Sequence, residues 1–309
     1  MKKIRIVYWG TPDFSIPSLT AFHKNPRIEV LAVVTQPDKP VKRSATLVSP
    51  PVKQTAEKYS IPVLQPAKLD STSFLKSLGA YEYNVVVAYG KLIPKVIINH
   101  PEKGSINLHP SILPKYRGPA PIHYALLHGD NHTAITIIKI DEEMDHGPIL
   151  IQQMVPISDG DNYLTLLKKL SEVGAKVLVK TTVDYFDKKI SETPQAHTKA
   201  TYTKLLAKID GELEWDSPQK VIYNKIRALN PWPGTYTYWK GKRLKILDAK
   251  QLTATMLSPG KIVFGNNMIH IGTRDGDMDI RLLQLEGKTP KKPSAFIRGN
   301  KRLNGVDLP

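Results

Sequence analysis

The sequence predicts an α/β protein in which a doubly wound, mostly parallel sheet is followed by a smaller β-rich domain. Three observations predict it. Across residues 1–190, short Val/Ile-rich runs alternate with longer amphipathic stretches, the pattern of strands covered by helices on both faces. Residues 188–207 then lose any apolar period. Beyond them, short β-rich runs are divided by closely spaced turn dipeptides, which argues for a small β-barrel or compact β domain.

The elements follow in order. Ile4–Trp9 reads as the first strand: Lys2 and Lys3 precede it as in a secretory signal, but the apolar stretch is short, contains Arg5 and ends in the turn Gly10-Thr11-Pro12-Asp13. Further strands are expected at Glu29–Thr35, Val63–Gln65, Asn84–Tyr89, Ser105–His109 and Ala134–Ile140. Helices are expected between them at Ile16–His23, Pro51–Tyr59, Ser73–Leu78, Lys95–Asn99 and Pro121–His128. A long helical pattern, Asn162–Phe186, is interrupted by Gly174. The polar stretch Lys188–Ala207 reads as a linker. One helix, Pro218–Leu229, leads into strands separated at Pro233-Gly234, Lys240-Gly241, Pro259-Gly260, Gly265-Asn266 and Asp275-Gly276. The expected organisation is a first domain over 1–189, a linker over 190–207 and a second domain over 208–309.

Composition narrows the class. Hydrophobic residues at 41% and charged residues at 23% suit a globular chain rather than a disordered one. The longest apolar runs, such as Val30–Val34 and Val85–Ala88, fall far short of the ~20 residues a bilayer requires. There is no cysteine, so disulfides and thiolate chemistry are excluded, and a cytoplasmic location is expected. The net charge of +16 is unevenly spread: residues 1–190 carry 24 Lys/Arg against 17 Asp/Glu, and the shorter remainder 20 against 11. A polyanionic partner would use that surplus through phosphate neutralisation; solubility alone would also account for it.

The first βα turn, Gly10-Thr11-Pro12-Asp13-Phe14, has one of the three glycines of a dinucleotide fingerprint, and no phosphate-cradling loop occurs elsewhere, so NAD or ATP chemistry is disfavoured. The informative run is Ser105-Ile106-Asn107-Leu108-His109-Pro110. Residues two apart on a strand share a face, and Pro110 ends the strand, which puts Asn107 and His109 together at its carboxyl end, where ligands bind in open α/β sheets. With Pro121–His128 as a crossover helix, the strand Ala134–Ile140 is expected to run parallel and to bring the acidic stretch Asp141–Asp145 to the same edge. An amide, an imidazole and a carboxylate suit acyl transfer between nitrogens. Asn107 would donate to the developing oxyanion, His109 would donate or pass a proton, and Asp145 would orient the imidazole or hold a relaying water. The same three residues would equally suit a turn amide, a satisfied strand-end histidine and a solvated acidic loop. No metal site is expected, because His123 and His128 are off one helical face and Gly129-Asp130 breaks the interval to His132.

At these residues the sequence resembles the folate-dependent formyltransferase family. Asn107, His109 and Asp145 match its Asn/His/Asp set, Ser111-Ile112-Leu113-Pro114 its Ser-Leu-Leu-Pro signature, and Asp145-His146-Gly147-Pro148-Ile149 its Asp-x-Gly turn. The resemblance implies a Rossmann-like catalytic domain and 10-formyltetrahydrofolate as donor. It places the folate along Tyr89, Gly90, Lys91 and Leu92, along Ser111, Ile112, Leu113 and Pro114, and along the loop of Asp141, Glu142 and Glu143. Gly10-Thr11-Pro12-Asp13-Phe14, Thr35-Gln36-Pro37-Asp38 and Asn230-Pro231-Trp232-Pro233-Gly234 look like the branch that formylates initiator methionyl-tRNA. In that branch the second domain is an OB-like barrel that helps to hold the tRNA. An inserted loop meets the acceptor end; here Lys39, Lys42 and Arg43 would contact tRNA, although Ser44-Ala45-Thr46 replace a glycine-plus-basic segment. No obligate protein partner is evident in the sequence, so a monomer is the default expectation, with no membrane association and no metal. The alternatives are formylation of an amino-sugar nucleotide, or an RNA-binding protein with a retired catalytic domain.

Overall fold

The computed structural model describes residues 3–40, 47–69, 74, 78–252 and 256–309. The chain forms two compact units. One holds Met1–Gly118, His132–Pro156 and Leu167–Tyr202; the other holds Pro119–Asn131, Ile157–Leu166 and Thr203–Pro309. Among the described residues no helix is long and apolar enough to cross a membrane.

The first unit is built on a seven-stranded sheet. Its chain order begins with β1 (Ile4–Gly10), α1 (Ile16–Lys24) and β2 (Ile28–Val34). A two-residue pair outside the sheet follows, β3 (Lys39–Pro40) with β4 (Leu47–Val48). Then come α2 (Pro51–Lys58), β5 (Val63–Leu64), β6 (Tyr83–Val87), α3 (Lys95–Ile98) and β7 (Ser105–His109). The helix α4 (Pro121–Leu127) lies in the second unit, and the chain returns as β8 (His132–Lys139), β9 (Ile149–Pro156) and α5 (Tyr163–Phe186), whose residues from Leu167 belong here. The strand order is β5-β2-β1-β6-β7-β8-β9, parallel from β5 to β7.

The apolar runs make this sheet because both faces are covered. Val7, Trp9, Val34 and Val86 share one core cluster with Tyr81 and Tyr89. On the other face Tyr8 meets Phe22 of α1 edge-on, with centroids 6.1 Å apart. Gly174 does not break α5. It lets the helix lie close to β7, where an added Cβ would come 2.8 Å from Leu108 Cδ1. Leu108 thus points to α5, and its neighbours Asn107 and His109 point to the opposite face.

One expectation is corrected. β8 runs antiparallel to β7, with His109 opposite Thr136 and Ile106 opposite Lys139. The carboxyl end of β8 therefore lies beside the start of β7, not beside its end. The cause is α4, which is not a crossover helix covering the sheet but packs on another helix of the second unit, α6 (Gln219–Leu229). β9, absent from the sequence reading, continues the antiparallel run. The polar stretch 190–207 is not a free connector in its first part. Thr193 and Ile149 exchange two 2.8 Å backbone hydrogen bonds, and the Arg117 N–H donates to Thr201 O at 2.9 Å.

The second unit contains α4, α6, five antiparallel strands and α7 (Pro293–Gly299). The strands are β10 (Thr235–Trp239), β11 (Lys242–Leu252), β12 (Ile262–Gly265), β13 (Met268–Gly272) and β14 (Asp277–Leu285), ordered β10-β11-β14-β13-β12. Turns fall at the expected dipeptides; Lys240 and Gly241, both at positive φ, close the β10–β11 hairpin. Ile222 and Ile226 of α6 pack with Leu244, Ile246, Ile271, Met278 and Ile280, and Leu303 and Leu308 from the end of the chain complete that core.

Candidate active site

β7 ends at His109 and the chain turns through Pro110–Gly118, which brings the Tyr116 carbonyl back to the His109 ring. This turn and the β8–β9 loop bring the three expected groups together. The Asp145 Oδ1 atom lies 3.4 Å from Asn107 Nδ2 and 3.5 Å from His109 Nδ1. Asp145 Oδ2 accepts the Gly118 backbone N–H at 2.8 Å. The side chains of His109 and Asp145 are 5% and 15% exposed, so the cluster is shielded yet reachable.

The imidazole is oriented by a group the sequence did not reveal. His109 Nε2 lies 2.9 Å from the Tyr116 carbonyl oxygen. A carbonyl only accepts, so Nε2 carries the hydrogen. That leaves Nδ1 facing Asp145, with a lone pair in the neutral ring or a second N–H in the imidazolium. Nδ1 is therefore the nitrogen that can exchange a proton with something held between Asn107, His109 and Asp145. The Asn107 amide donates toward Asp145 with one hydrogen and has a second to offer an oxygen that gains charge.

Backbone strain gathers around this cluster. Tyr116 at φ 63 and Asp145 at φ 52 occupy the left-handed region that side chains disfavour, as does Ala88 at φ 49 just before the Tyr89–Leu92 segment. Such conformations persist where surrounding contacts impose them.

The remaining candidates divide by location. The Tyr89 side chain is buried edge-on against Trp9, with centroids 5.2 Å apart, and burial pushes its hydroxyl up from the ordinary tyrosine range. Its backbone oxygen accepts from Thr11 Oγ1 at 2.8 Å and Gln36 Nε2 at 2.9 Å, which ties the first βα turn to this segment. Gly90, Lys91 and Leu92 are exposed. An ion pair between Lys95 and Glu142 links this segment to the acidic loop. Asp141 turns inward on its own loop, with Oδ2 2.6 Å from His146 Nδ1 and Oδ1 accepting the Glu143 N–H at 3.1 Å; Glu143 itself is exposed.

The Ser111–Pro114 turn is held from beneath. Ser111 Oγ donates to Lys115 O at 2.7 Å. Thr136 Oγ1 donates to Ser111 O at 2.6 Å, and Gln152 Nε2 donates both to Leu113 O at 3.0 Å and to Thr136 Oγ1 at 2.9 Å. Thr136 and Gln152 lie on β8 and β9, so the antiparallel strands missed in part by the sequence reading shape this turn. Ile112 and Pro114 are half-buried and Leu113 is buried. Lys39 stands exposed in β3, opposite Val48. Lys42 and Arg43 lie outside the described residues.

Two family models match the chain: the formyl transferase model over residues 2–182 and the formyl transferase C-terminal domain model over residues 205–301. The chain is 42% identical over 305 residues to the methionyl-tRNA formyltransferase of Thermodesulfovibrio yellowstonii, covering 98% of each. It is 39% identical to that of Listeria monocytogenes, covering 96% of this chain and 95% of the relative. Among solved structures, an N-formyltransferase from Helicobacter canadensis in complex with folinic acid and dTDP-3-aminofucose superposes with a TM-score of 0.66 at 19% identity, covering 91% of this chain and 98% of that one.

Proposed function

Since the chain belongs to the formyl transferase family through both matched regions, we propose that it transfers the formyl group of 10-formyltetrahydrofolate to the α-amino group of initiator methionyl-tRNA. The observation that carries the chemistry is the meeting of Asn107, His109 and Asp145 around one carboxylate oxygen. The choice of acceptor is supported by relatedness to methionyl-tRNA formyltransferases along nearly the whole chain, and by the basic surplus of the second part of the sequence.

The residues fit a folate co-substrate. Exposed Leu92 and Met144 offer apolar contacts from two segments tied by the Lys95–Glu142 ion pair. The braced Ser111–Pro114 turn and the backbone of loop Asp141–Asp145 offer fixed polar groups. The folate's pterin would lie inward along these segments and its glutamyl tail outward toward basic residues. Folate supplies an activated one-carbon group at the formyl oxidation level. Everything else is the work of the chain's own groups. The incoming amine is a nucleophile once deprotonated, so no side chain needs to form a covalent bond. Asn107 donates to the acyl oxygen as it becomes negative. His109 Nδ1 accepts the proton that the amine releases, and the nearby Asp145 carboxylate stabilises the imidazolium; the departing nitrogen is protonated in return. Lys39, Lys42 and Arg43 contact the tRNA acceptor end. The reaction belongs to translation initiation in the cytoplasm, and a single chain supplies the whole trio, so a monomer would suffice for it.

Transfer of radiolabelled formyl from 10-formyltetrahydrofolate to methionyl-initiator tRNA tests this, with elongator tRNA and a dTDP-amino sugar as parallel acceptors. Labelled initiator tRNA is expected, and His109→Ala and Asp145→Ala should each lower turnover by orders of magnitude. Turnover of the amino sugar alone would replace the acceptor. Normal rates in both variants would remove the assigned mechanism.

A further inference from the structure

Asp145 sits in a left-handed backbone conformation with no glycine to ease it. Something must hold it there. Its carboxylate is anchored by the Gly118 N–H, but its backbone is held from another direction. Gln195 Nε2 donates to Asp145 O at 2.9 Å and to Gly147 O at 2.8 Å, so one amide group pins both sides of the turn. Gln195 Oε1 in turn accepts from Arg117, at 3.2 Å from Nε and 2.8 Å from Nη2. Gln195 is 5% exposed and Arg117 1%.

The chemistry of these groups leaves one arrangement. A guanidinium is permanently charged and only donates, while backbone carbonyls only accept. The Gln195 oxygen must therefore face Arg117 and its NH2 the two carbonyls; a flipped amide would set donor against donor and acceptor against acceptor. Arg117 is fixed further by donating to His197 Nδ1 at 2.9 Å. The His197 ring stacks on His146 at 3.9 Å, and His146 contacts Asp141 within the same loop. The backbone and side chain of the Arg117–Gly118 segment thus reach Asp145 from two ends, one through the Gly118 N–H and one through Gln195. A buried guanidinium is costly to desolvate, and its fork matches the task of locking a neutral amide in a way that a lysine point charge would not.

We propose that Gln195, locked by Arg117, is the positioning residue that sets Asp145 against His109 and Asn107. The proposal rests on the reading of that trio as the reacting groups. It makes a residue of the stretch between the two matched regions part of the catalytic apparatus, although Gln195 touches no reacting atom.

Gln195→Glu is the discriminating variant. It preserves side-chain length and the partnership with Arg117, but an ionised carboxylate has no hydrogen to give Asp145 O or Gly147 O. Its kcat is expected to fall about 10–100-fold, as misplacement of a catalytic group by a fraction of an ångström to 1 Å requires, while KM for folate and for tRNA stays within about twofold. Single-turnover rates in an Asp145→Ala background should show no further loss from Gln195→Glu, because the residue acts only through Asp145. Amide exchange at Gly118 should accelerate at least about tenfold in Gln195→Glu, with β7 unchanged. Gln195→Met, uncharged and of similar volume, gives the same three readings if the glutamate variant does not fold. Wild-type kcat, an equal loss with and without Asp145, or unchanged Gly118 exchange would each overturn the proposal. Full activity of Asp145→Ala alone would overturn it together with the reading of the trio, which separates the two failures.

Discussion

Gly147→Ala should disable the site from a position outside the Asn107, His109 and Asp145 trio. Gly147 stands where the β8–β9 loop closes, and a Cβ built on it would lie 1.9 Å from the Lys139 carbonyl oxygen and 3.3 Å from Asp141 N. Side-chain carbons do not approach other heavy atoms within 3.0 Å, so the loop must move by about 1 Å to admit a methyl group. The obstacle is backbone on β8 and cannot rotate away. The shift pulls on the Lys139 N–H to Pro148 O bond of 3.0 Å and on the Gln195 contact to Gly147 O of 2.8 Å. Weakening both should reduce stability by about 1–3 kcal/mol. Asp145, two residues away, moves with the loop, and an error of about 1 Å in a catalytic group lowers rate about 10²-fold. Initial rates of formyl transfer and denaturant unfolding are measured on the same preparations. Gly160→Ala, where nothing lies within 4 Å, serves as the control for a methyl group in a loop. A folded Gly147→Ala protein with kcat within about threefold of wild type would refute the reasoning, since the displaced loop would then be catalytically irrelevant.

Thr136→Val keeps shape but removes the hydroxyl that bonds Ser111 O and receives Gln152; KM for the folate donor should rise about 5–10-fold with kcat nearly unchanged, and an unaltered KM would detach this brace from folate binding. Burial lowers the His123 pKa from 6.5 to about 4. The folded imidazole stays neutral across that window while the unfolded one takes a proton, so stability falls as pH drops from 6.5 toward 4. His123→Phe, which can still stack on Tyr163, should remove about 2–3 kcal/mol of this acid sensitivity; equal slopes of stability against pH in both proteins would contradict it. Hydrogen bonds from Arg27, at 2.7 and 2.8 Å, hold the Asp187 carboxyl below the usual carboxylate range. The resulting stabilisation is present above about pH 4 and is lost as pH falls through the folded-state value. Asp187→Asn should accordingly melt earlier than wild type near neutrality, with the gap closing in strong acid; a constant gap would assign the effect to something other than this carboxylate.

The elements most legible in the sequence were those whose burial repeats along the chain. Ile4–Gly10 and Tyr83–Val87 are mostly apolar runs between turns, Ser105–His109 alternates polar with apolar residues ahead of Pro110, and all three strands appear within two residues of expectation at either end. Of the five turn dipeptides after Pro218, Pro233-Gly234 leads the helix into the second sheet and the other four fall between its successive strands. The direction of β8 was not legible, because nothing local in Pro121–Leu127 says which body the helix will cover. β9 was lost for a related reason: Gln152 and Gln153 interrupt its apolar run, and the inward role of Gln152 is visible only once the Ser111–Pro114 turn lies beside it. Asn107, His109 and Asp145 were found by residue type and by resemblance, and the structure brings them together, although by a loop and not by the parallel edge that had been expected. The Tyr116 carbonyl, the Gly118 N–H and Gln195 carried no signal, since backbone groups have no letter in a sequence and a glutamine in a polar stretch looks like solvent-facing chain.

The chain passes between its two units five times, leaving the first at Gly118, returning at His132, leaving again at Pro156, returning at Leu167 and departing finally at Tyr202. Neither unit is a contiguous stretch of gene. A single recombination event cannot lift one out intact, and cutting the chain after Tyr202 would strand Pro119–Asn131 and Ile157–Leu166 without the body they belong to. During synthesis the second unit receives its first pieces long before Leu303 and Leu308 emerge to close its core. Those early segments must wait, tethered at both ends to a folding sheet, for Leu303 and Leu308, so a nascent chain halted before these residues is incomplete in a body begun before the first was finished.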